Sequence, residues 1–209
     1  GRMAQPDQVM SALIRQHGLI EVQSCRECAV ILKAFSIAPL ATGDRTVILT
    51  NTAGPAILAA DILQPAGVRM PQPSTELQQY LDTQTGISMQ LKNPADISSN
   101  GLAPLVYGTC ARGLLESDEF DVLMSFFSLN PHLTLPDRQI GEVAKTIKKP
   151  IIGCFLCSLG EFMSYDLSVE QFGVPCYYDP QDAAIATKAL IQSGNLKMNQ
   201  PELKGLHLT

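Results

Sequence analysis

The 209-residue sequence has no tryptophan, only three histidines and only 17% charged residues. Its apolar residues never form a run of the ~20 that would be needed to cross a bilayer. The hydrophobic fraction of 45% excludes intrinsic disorder. A formal net charge of -5 argues against a nucleic-acid partner, which requires clustered Lys and Arg. We therefore expect a folded, cytoplasmic protein that binds neither membranes nor nucleic acid.

Six cysteines are present, including two C-x-x-C pairs, Cys25/Cys28 and Cys154/Cys157. A chain of this length can build a core without a disulfide framework. Four thiolates could hold a zinc ion, but neither pair has the glycine-rich turn that directs two sulfurs at one metal. The sequence therefore favours buried, reduced thiols and predicts no metal site.

Apolar strands alternate with amphipathic helices along most of the chain, which is typical of a parallel sheet covered on both faces. We predict strands at residues 46–50, 89–91, 121–125, 151–156 and 174–177. The helices predicted around them span residues 56–63, 74–83, 104–116, 136–148, 159–172 and 180–192. Right-handed crossovers then give an α/β fold, a flavodoxin-like doubly wound parallel sheet with three α/β/α layers.

The first part of the chain predicts a small helix–strand–helix piece. A helix is predicted at residues 5–17 and a strand at residues 19–22. A second helix follows Ser24, which forms a capping-box pattern with Glu27. We divide the chain into an N-terminal piece at residues 1–38, a flavodoxin-like domain at 39–193 and a tail at 194–209.

The loop after the strand at 46–50 has the features of an anion-binding turn. Its residues are Asn51, Thr52, Ala53, Gly54 and Pro55. The free N–H groups and the dipole of a helix N-terminus attract an anion, and Gly54 permits close approach to the backbone. Asn51 and Thr52 add side-chain donors. The loop has no Lys or Arg, so it is neither a P-loop nor a dinucleotide fingerprint. From the residues alone it is either a phosphate site or a plain strand–helix turn.

Three motifs, in this order, resemble the NDP-forming acyl-CoA synthetases, which are relatives of the succinyl-CoA synthetases. They are residues 47–61, the sequence N-P-A-D-I at 93–97 and the sequence G-V-P at 173–175. The family's consensus sequence is T-N-x-G-G-P, followed by a helix of small residues and, later in the chain, by N-P-x-D. The resemblance covers about residues 8–192, and residues 1–38 resemble the end of the family's preceding domain.

The resemblance implies a domain of an acid–CoA ligase. In that family, acyl-CoA, phosphate and NDP are converted to acid, CoA and NTP through a phosphohistidine. The helix after the first motif would bind the phosphate of that phosphohistidine, and Asn93, Pro94 and Asp96 would form the second motif. The alternative for this second motif is a turn stabilised by Asp96. Ala53 replaces a family glycine and would be strained if its φ were positive.

The resemblance also implies that the catalytic histidine lies elsewhere. None of His17, His132 and His207 has the sequence context of the phosphorylated histidine, so we expect no catalytic residue here. The parent enzyme would use CoA, ATP or ADP, and Mg, through CoA-binding and ATP-grasp domains or subunits. Alone, this chain would bind phosphate but no cofactor and would be inactive. We expect the parent to be an oligomer.

Two other functions stay open. The same domains occur in proteins that resemble protein lysine acetyltransferases, where the ligase portion binds a ligand without forming acyl-CoA. The chain would then be a non-catalytic ligand-sensing or interaction module. A free-standing flavodoxin-like binding domain is the third possibility, and the lack of tryptophan does not favour flavin.

Overall fold

The computed structural model describes residues 7–17, 19–128 and 136–199. Within them, five strands form one parallel sheet in the order β2-β1-β3-β4-β5. The strands are β1 Thr46–Thr50, β2 Ala95–Asp96, β3 Val122–Ser128, β4 Ile151–Leu156 and β5 Cys176–Tyr177. This order is the flavodoxin-like one, so the predicted fold class is confirmed.

Helices cover both faces of the sheet. They are α1 Asp7–Gln16, α2 Cys25–Ile37, α3 Ala53–Leu63, α4 Thr75–Thr85, α5 Pro104–Glu116, α6 Asp137–Thr146, α7 Leu159–Glu170 and α8 Pro180–Asn199, with a 3-10 helix at Ser98–Leu102. One core lies between the sheet and α4, α5, α6 and α7, and the other between the sheet and α2, α3 and α8. Among the described residues, no helix is both long enough and apolar enough to span a bilayer.

The two cores explain the unbroken apolar sequence of the central strands. Every residue of β1 is buried. Successive side chains point to opposite faces, so Val47 and Leu49 enter the core beside α5, whereas Ile48 enters the core beside α3. The final helix, α8, belongs to this second core and continues past the predicted helix end at 192 to Asn199.

The N-terminal piece contains two helices but not the predicted strand. Residues 19–22 are irregular and lie outside the sheet, and Leu19 is 58% exposed. An apolar composition without a neighbouring strand does not make a strand, so that prediction is wrong. The helix start is confirmed, because Ser24 Oγ accepts a hydrogen bond from the Glu27 N–H at 3.1 Å. The Glu27 carboxylate in turn accepts from the Gln23 N–H at 2.7 Å.

The edge strand beside β1 lies later than predicted. We placed it at residues 89–91, but Gln90 has a φ of 35°, which lies outside the extended region that a strand requires. The strand is instead β2, where Ala95 is paired with Leu49 and Asp96 with Thr50. The predicted strand at 89–91 is therefore wrong, and the second motif contains the edge strand itself.

Candidate phosphate-binding site

The candidate phosphate loop lies at the carboxyl edge of the sheet, where β1 leads into α3. Thr52 is the N-cap, with φ -153° and ψ 122°, and its side chain makes no capping bond. The helix starts at Ala53 rather than at the predicted residue 56, so Gly54 and Pro55 belong to its first turn. The N–H groups of Ala53 and Gly54 have no acceptor within the helix, and Pro55 has no N–H. This first turn therefore directs two backbone donors outward.

The hydroxyl of Thr50 fixes the turn from inside. It donates to the carbonyl oxygen of Thr52 at 2.7 Å and accepts from the Thr52 N–H at 2.9 Å. Thr50 is fully buried at the end of β1. The β-branched strand pattern contained Thr50 but gave no sign of this role. The turn consequently has a defined shape without any ligand.

The Asn51 side chain binds the neighbouring strand rather than the space above α3. Its Oδ1 accepts from the Ser128 N–H at 2.8 Å, and its Nδ2 lies 3.4 Å from the Ser128 carbonyl oxygen. Gly101 packs against it so closely that an added Cβ would lie 2.9 Å from the Asn51 Cβ. Asn51 thus ties the ends of β1 and β3 together, which leaves the backbone of α3 as the outward donor.

The exchange of a family glycine for Ala53 causes no backbone strain. In the described chain, the residues other than glycine with positive φ are Gln90 and Ser98. Gly54 also has an ordinary negative φ, and a Cβ built on it would meet nothing within 4 Å. The space above the first turn is therefore open to a ligand.

The asparagine of the second motif is a buried connector. Asn93 Nδ2 donates to the carbonyl oxygens of Thr46, at 2.7 Å, and Pro71, at 3.0 Å. Its Oδ1 accepts from the Ile48 N–H at 3.2 Å. The Asn93 side chain thus satisfies the backbone groups of Thr46 and Ile48 on the side of β1 that faces β2. Since β2 pairs only with the last two residues of β1, the Asn93 side chain does there what a longer β2 would do. All three bonds are made to the protein backbone, and those to Thr46 and Ile48 are buried.

Pro94 and Asp96 continue the second motif to the same edge as the phosphate loop. Pro94 directly precedes β2, and Asp96 pairs in register with Thr50. Asp96 Oδ1 accepts from the Ser98 N–H at 2.8 Å and from the Ser98 hydroxyl at 3.2 Å. Asp96 therefore forms the turn that we considered as the alternative, and the two motifs are neighbours in space.

Exposed apolar side chains surround this edge, and we call them the apolar rim. They lie near the starts of α3, α5 and α7 and just after β5, because these helices all begin at the carboxyl ends of parallel strands. The apolar rim consists of Ile57, Leu58, Leu102, Leu105, Leu159, Met163 and Tyr178. Leu105, at the start of α5, is the most exposed of them at 74%.

In the part of the chain that the structure describes, the other candidate residues do not come together as a second site. His17 is exposed at the end of α1, and His132 and His207 lie outside the described residues. Within the described residues, no cluster of His, Cys, Asp and Glu has a metal-binding arrangement. Burial raises the pKa of the Cys154 and Cys157 thiols, which disfavours thiolate chemistry there. Cys25 is exposed, so the prediction of buried thiols is wrong for the first pair.

The sequence is similar to ADP-forming acetate–CoA ligases, although no protein-family model matches it. It is 26% identical over 202 residues to the acetate–CoA ligase [ADP-forming] II subunit alpha of Pyrococcus furiosus, covering 92% of this chain and 43% of that protein. It is 23% identical over 208 residues to the acetate–CoA ligase [ADP-forming] I subunit alpha of the same organism, covering 97% of this chain and 44% of that one. The chain therefore spans less than half the length of these relatives.

Solved structures support the fold. A dinucleotide-forming acetyl-coenzyme A synthetase 1 of Ca. Korarchaeum cryptofilum, in complex with phosphate and ADP, superposes with a TM-score of 0.80 at 20% identity. The match covers 96% of this chain and 45% of that one. A Pyrococcus horikoshii protein matches with a TM-score of 0.79 at 25% identity, over 92% of this chain and 45% of that one. The resemblance to NDP-forming acyl-CoA synthetases is thus confirmed: the chain is a homologue of ADP-forming acetate–CoA ligase alpha subunits.

Proposed function

We propose that this chain is a domain of an ADP-forming acid–CoA ligase and that the first turn of α3 binds the phosphoryl group of a phosphohistidine. The observation that carries the proposal is the pair of outward N–H groups of Ala53 and Gly54 at the carboxyl edge. The parent reaction would convert acyl-CoA, phosphate and ADP to acid, CoA and ATP in the cytoplasm. The homology to acetate–CoA ligases supports this reaction class.

The chemistry of the loop suits a phosphoryl group that another domain presents. Asn51 through Pro55 carry no charged side chain, so the attraction comes from two backbone donors and the helix dipole. Thr50 and Asn51 hold the loop in shape through their own hydrogen bonds. Such a site is pre-organised and adds little reorganisation cost when a phosphoryl group arrives.

The domain would stabilise charge and would not transfer protons. The side chains of Asn51 and Asp96 are hydrogen-bonded to the backbone of Ser128 and Ser98, and the loop contains no titratable side chain. Electrostatic stabilisation needs no acid or base of its own. CoA, ADP and Mg would therefore be held by other parts of the ligase, and this chain alone would be inactive.

The apolar rim supports a protein partner at this edge. Several large apolar side chains exposed at one edge of a fold are typical of a surface that a partner covers. A CoA-binding or ATP-grasp domain that docked there would bring its histidine to α3. It would also exclude water, which strengthens the hydrogen bonds of the N–H groups to the phosphoryl oxygens.

The variant Ala53→Pro tests the proposal with little disturbance of the fold. Proline is favoured at the first position of a helix, and the extended backbone of Thr52 is compatible with a following proline. The change deletes the Ala53 N–H and keeps the helix. A hydrogen bond to a charged group contributes about 1.5–3 kcal/mol, so we expect phosphate affinity to fall by at least about tenfold. Ala53→Gly, which restores the family residue, is the matched control.

Phosphate binding is measured by amide NMR, with chloride at matched ionic strength as the reference. Saturable shifts confined to residues 51–58 in the native chain and in Ala53→Gly, and lost in Ala53→Pro, are the expected result. In the ligase assembled with its CoA-binding and ATP-grasp parts, Ala53→Pro should lower turnover by a similar factor. Unchanged turnover despite weaker phosphate binding would refute the catalytic role and favour the ligand-sensing module.

A further inference from the structure

The two cysteines at the start of α2 lie within disulfide reach of each other. Cys25 is the first residue of the helix and is exposed, and Cys28 is partly exposed three positions later. A helix with 3.6 residues per turn and a 1.5 Å rise places Cα atoms at this spacing about 5 Å apart. Disulfides span Cα separations of roughly 4.4–6.8 Å. A bond between the two sulfurs therefore needs only local adjustment of the first turn.

Three of the other four cysteines are buried, and the fourth, Cys157, is partly exposed but has a raised thiol pKa. Cys110, Cys154 and Cys176 are buried. Burial raises the pKa of Cys110 to about 12, and burial also raises the pKa of Cys157. Because a thiolate is the attacking species in disulfide exchange, these thiols react slowly at neutral pH. Both thiols of the Cys25/Cys28 pair are thus at least partly exposed on one helical turn, whereas the other C-x-x-C pair has the buried Cys154, in β4, as its first member.

We propose that Cys25 and Cys28 form a redox-active dithiol that closes reversibly to an intrahelical disulfide by exchange with a small disulfide such as oxidised glutathione. The Cys25 thiolate attacks one sulfur of glutathione disulfide, forms a mixed disulfide and releases one glutathione thiolate. The Cys28 thiolate then attacks the Cys25 sulfur and releases the second glutathione. The dithiol loses two electrons and two protons, and one glutathione disulfide becomes two thiols.

The position of Arg26 links this reaction to the carboxyl edge. Arg26 lies between the two cysteines in sequence, and its guanidinium contacts Asp182 at 2.8 Å and Asp179 at 3.3 Å. Both carboxylates lie at the start of α8, just after β5. A disulfide between Cys25 and Cys28 closes a ring that includes the first turn of α2, which carries Arg26. We therefore expect the environment of residues 179–182 to change when the two cysteines are oxidised.

The experiment titrates the folded full chain with glutathione buffers of rising oxidised fraction. Free thiols are then alkylated and mapped by proteolysis and mass spectrometry. We expect a Cys25–Cys28 peptide that has lost two hydrogens, in a reaction that dithiothreitol reverses. Amide shifts of residues 179–182 should follow the same titration. The ring should persist in Cys157→Ser, whereas Cys25→Ser and Cys28→Ser should leave one glutathione adduct on the remaining cysteine.

Three results would overturn the proposal. The first is two free thiols at positions 25 and 28 in a large excess of oxidised glutathione. The second is mixed disulfides on these cysteines without ring closure. The third is a ring that forms only in urea, because that product would belong to the unfolded chain.

Discussion

The two edges of the parallel sheet use their polar groups in opposite ways. At the amino edge, Asp121 accepts bonds from the Arg45 backbone N–H at 3.0 Å and from its guanidinium at 2.7 and 2.9 Å. Lys149 donates to three carbonyl oxygens, those of Leu115, Ser117 and Phe120. At the carboxyl edge, the uncharged first turn of α3 leaves the Ala53 and Gly54 N–H groups pointing outward.

This difference shows why charged residues are a poor guide to the site in this molecule. The acidic run between Glu116 and Asp121 is conspicuous in the sequence, yet two of its carboxylates, those of Glu119 and Asp121, hold elements of the fold together. Glu119 accepts bonds from the N–H and the hydroxyl of Ser74, at 2.8 and 2.6 Å, and so supports the start of α4. A neutral loop whose donors belong to the backbone is the better candidate for binding an anion.

The largest expected loss of stability tests whether Asn93 stabilises the fold rather than binding phosphate. Asn93→Ala would remove two buried hydrogen bonds and one partly buried one, and would leave the Ile48 N–H and the Thr46 carbonyl oxygen without this partner. Each unsatisfied buried group costs about 1–3 kcal/mol, so we expect the free energy of unfolding to fall by about 3 kcal/mol. Urea denaturation measures this change. A stable variant with weakened phosphate binding would instead place Asn93 in the site.

The next effect tests the amino edge. Asp121→Asn keeps the size of the side chain but removes the charge that pairs with Arg45. Because Arg45 is one-third exposed, we discount the cost of breaking a buried pair to about 2 kcal/mol in the free energy of unfolding. Glu116→Gln, which breaks the exposed pair with Arg112, is the control and should change stability much less. Equal effects of the two variants would contradict the distinction between buried and exposed pairs.

The same ion pair predicts a pH dependence. Burial raises the pKa of the Asp121 carboxyl, but the side-chain and backbone hydrogen bonds from Arg45 outweigh it, so the pKa lies below its usual value. The stabilisation is complete above the unfolded-chain pKa of about 3.9 and is lost as the pH falls through the lower folded pKa. The stability difference between the native chain and Asp121→Asn should therefore shrink on acidification. A difference that stayed constant down to about pH 2 would refute this account.

The central fold could be predicted because its strands are defined by composition. The predicted bounds of β1, α5 and β4 agree with the structure, since buried parallel strands are unbroken apolar runs and Pro104 marks a helix start. The edge strand β2 could not be located this way. Two residues pair there because Asn93 side-chain bonds bring the chain to β1, and that is a tertiary contact.

The sequence predicted the place of the candidate site and its backbone donors, but not the roles of the Thr50 and Asn51 side chains. The T-N-T-A-G-P sequence at the end of a strand located the turn, and the structure puts it at the carboxyl edge of the sheet. The sequence could not show that Asn51 binds Ser128 across 77 positions or that Thr50 locks the turn. Both depend on which strands become neighbours, and local pattern does not determine that.

The substitution with the smallest expected effect on stability, Gly54→Ala, tests directly whether the carboxyl edge is open to a phosphoryl group. Gly54→Ala adds a Cβ that meets nothing within 4 Å, at a position with negative φ. The better helix propensity of alanine should raise the free energy of unfolding by no more than about 0.5 kcal/mol. If a phosphoryl group approaches this backbone closely, the added methyl group lies in its path. We then expect phosphate affinity to fall by about fivefold, close to 1 kcal/mol, in the same NMR titration. Unchanged phosphate affinity with slightly higher stability would mean that Gly54 serves only the turn. That result would contradict the proposal that a phosphoryl group binds at the first turn of α3.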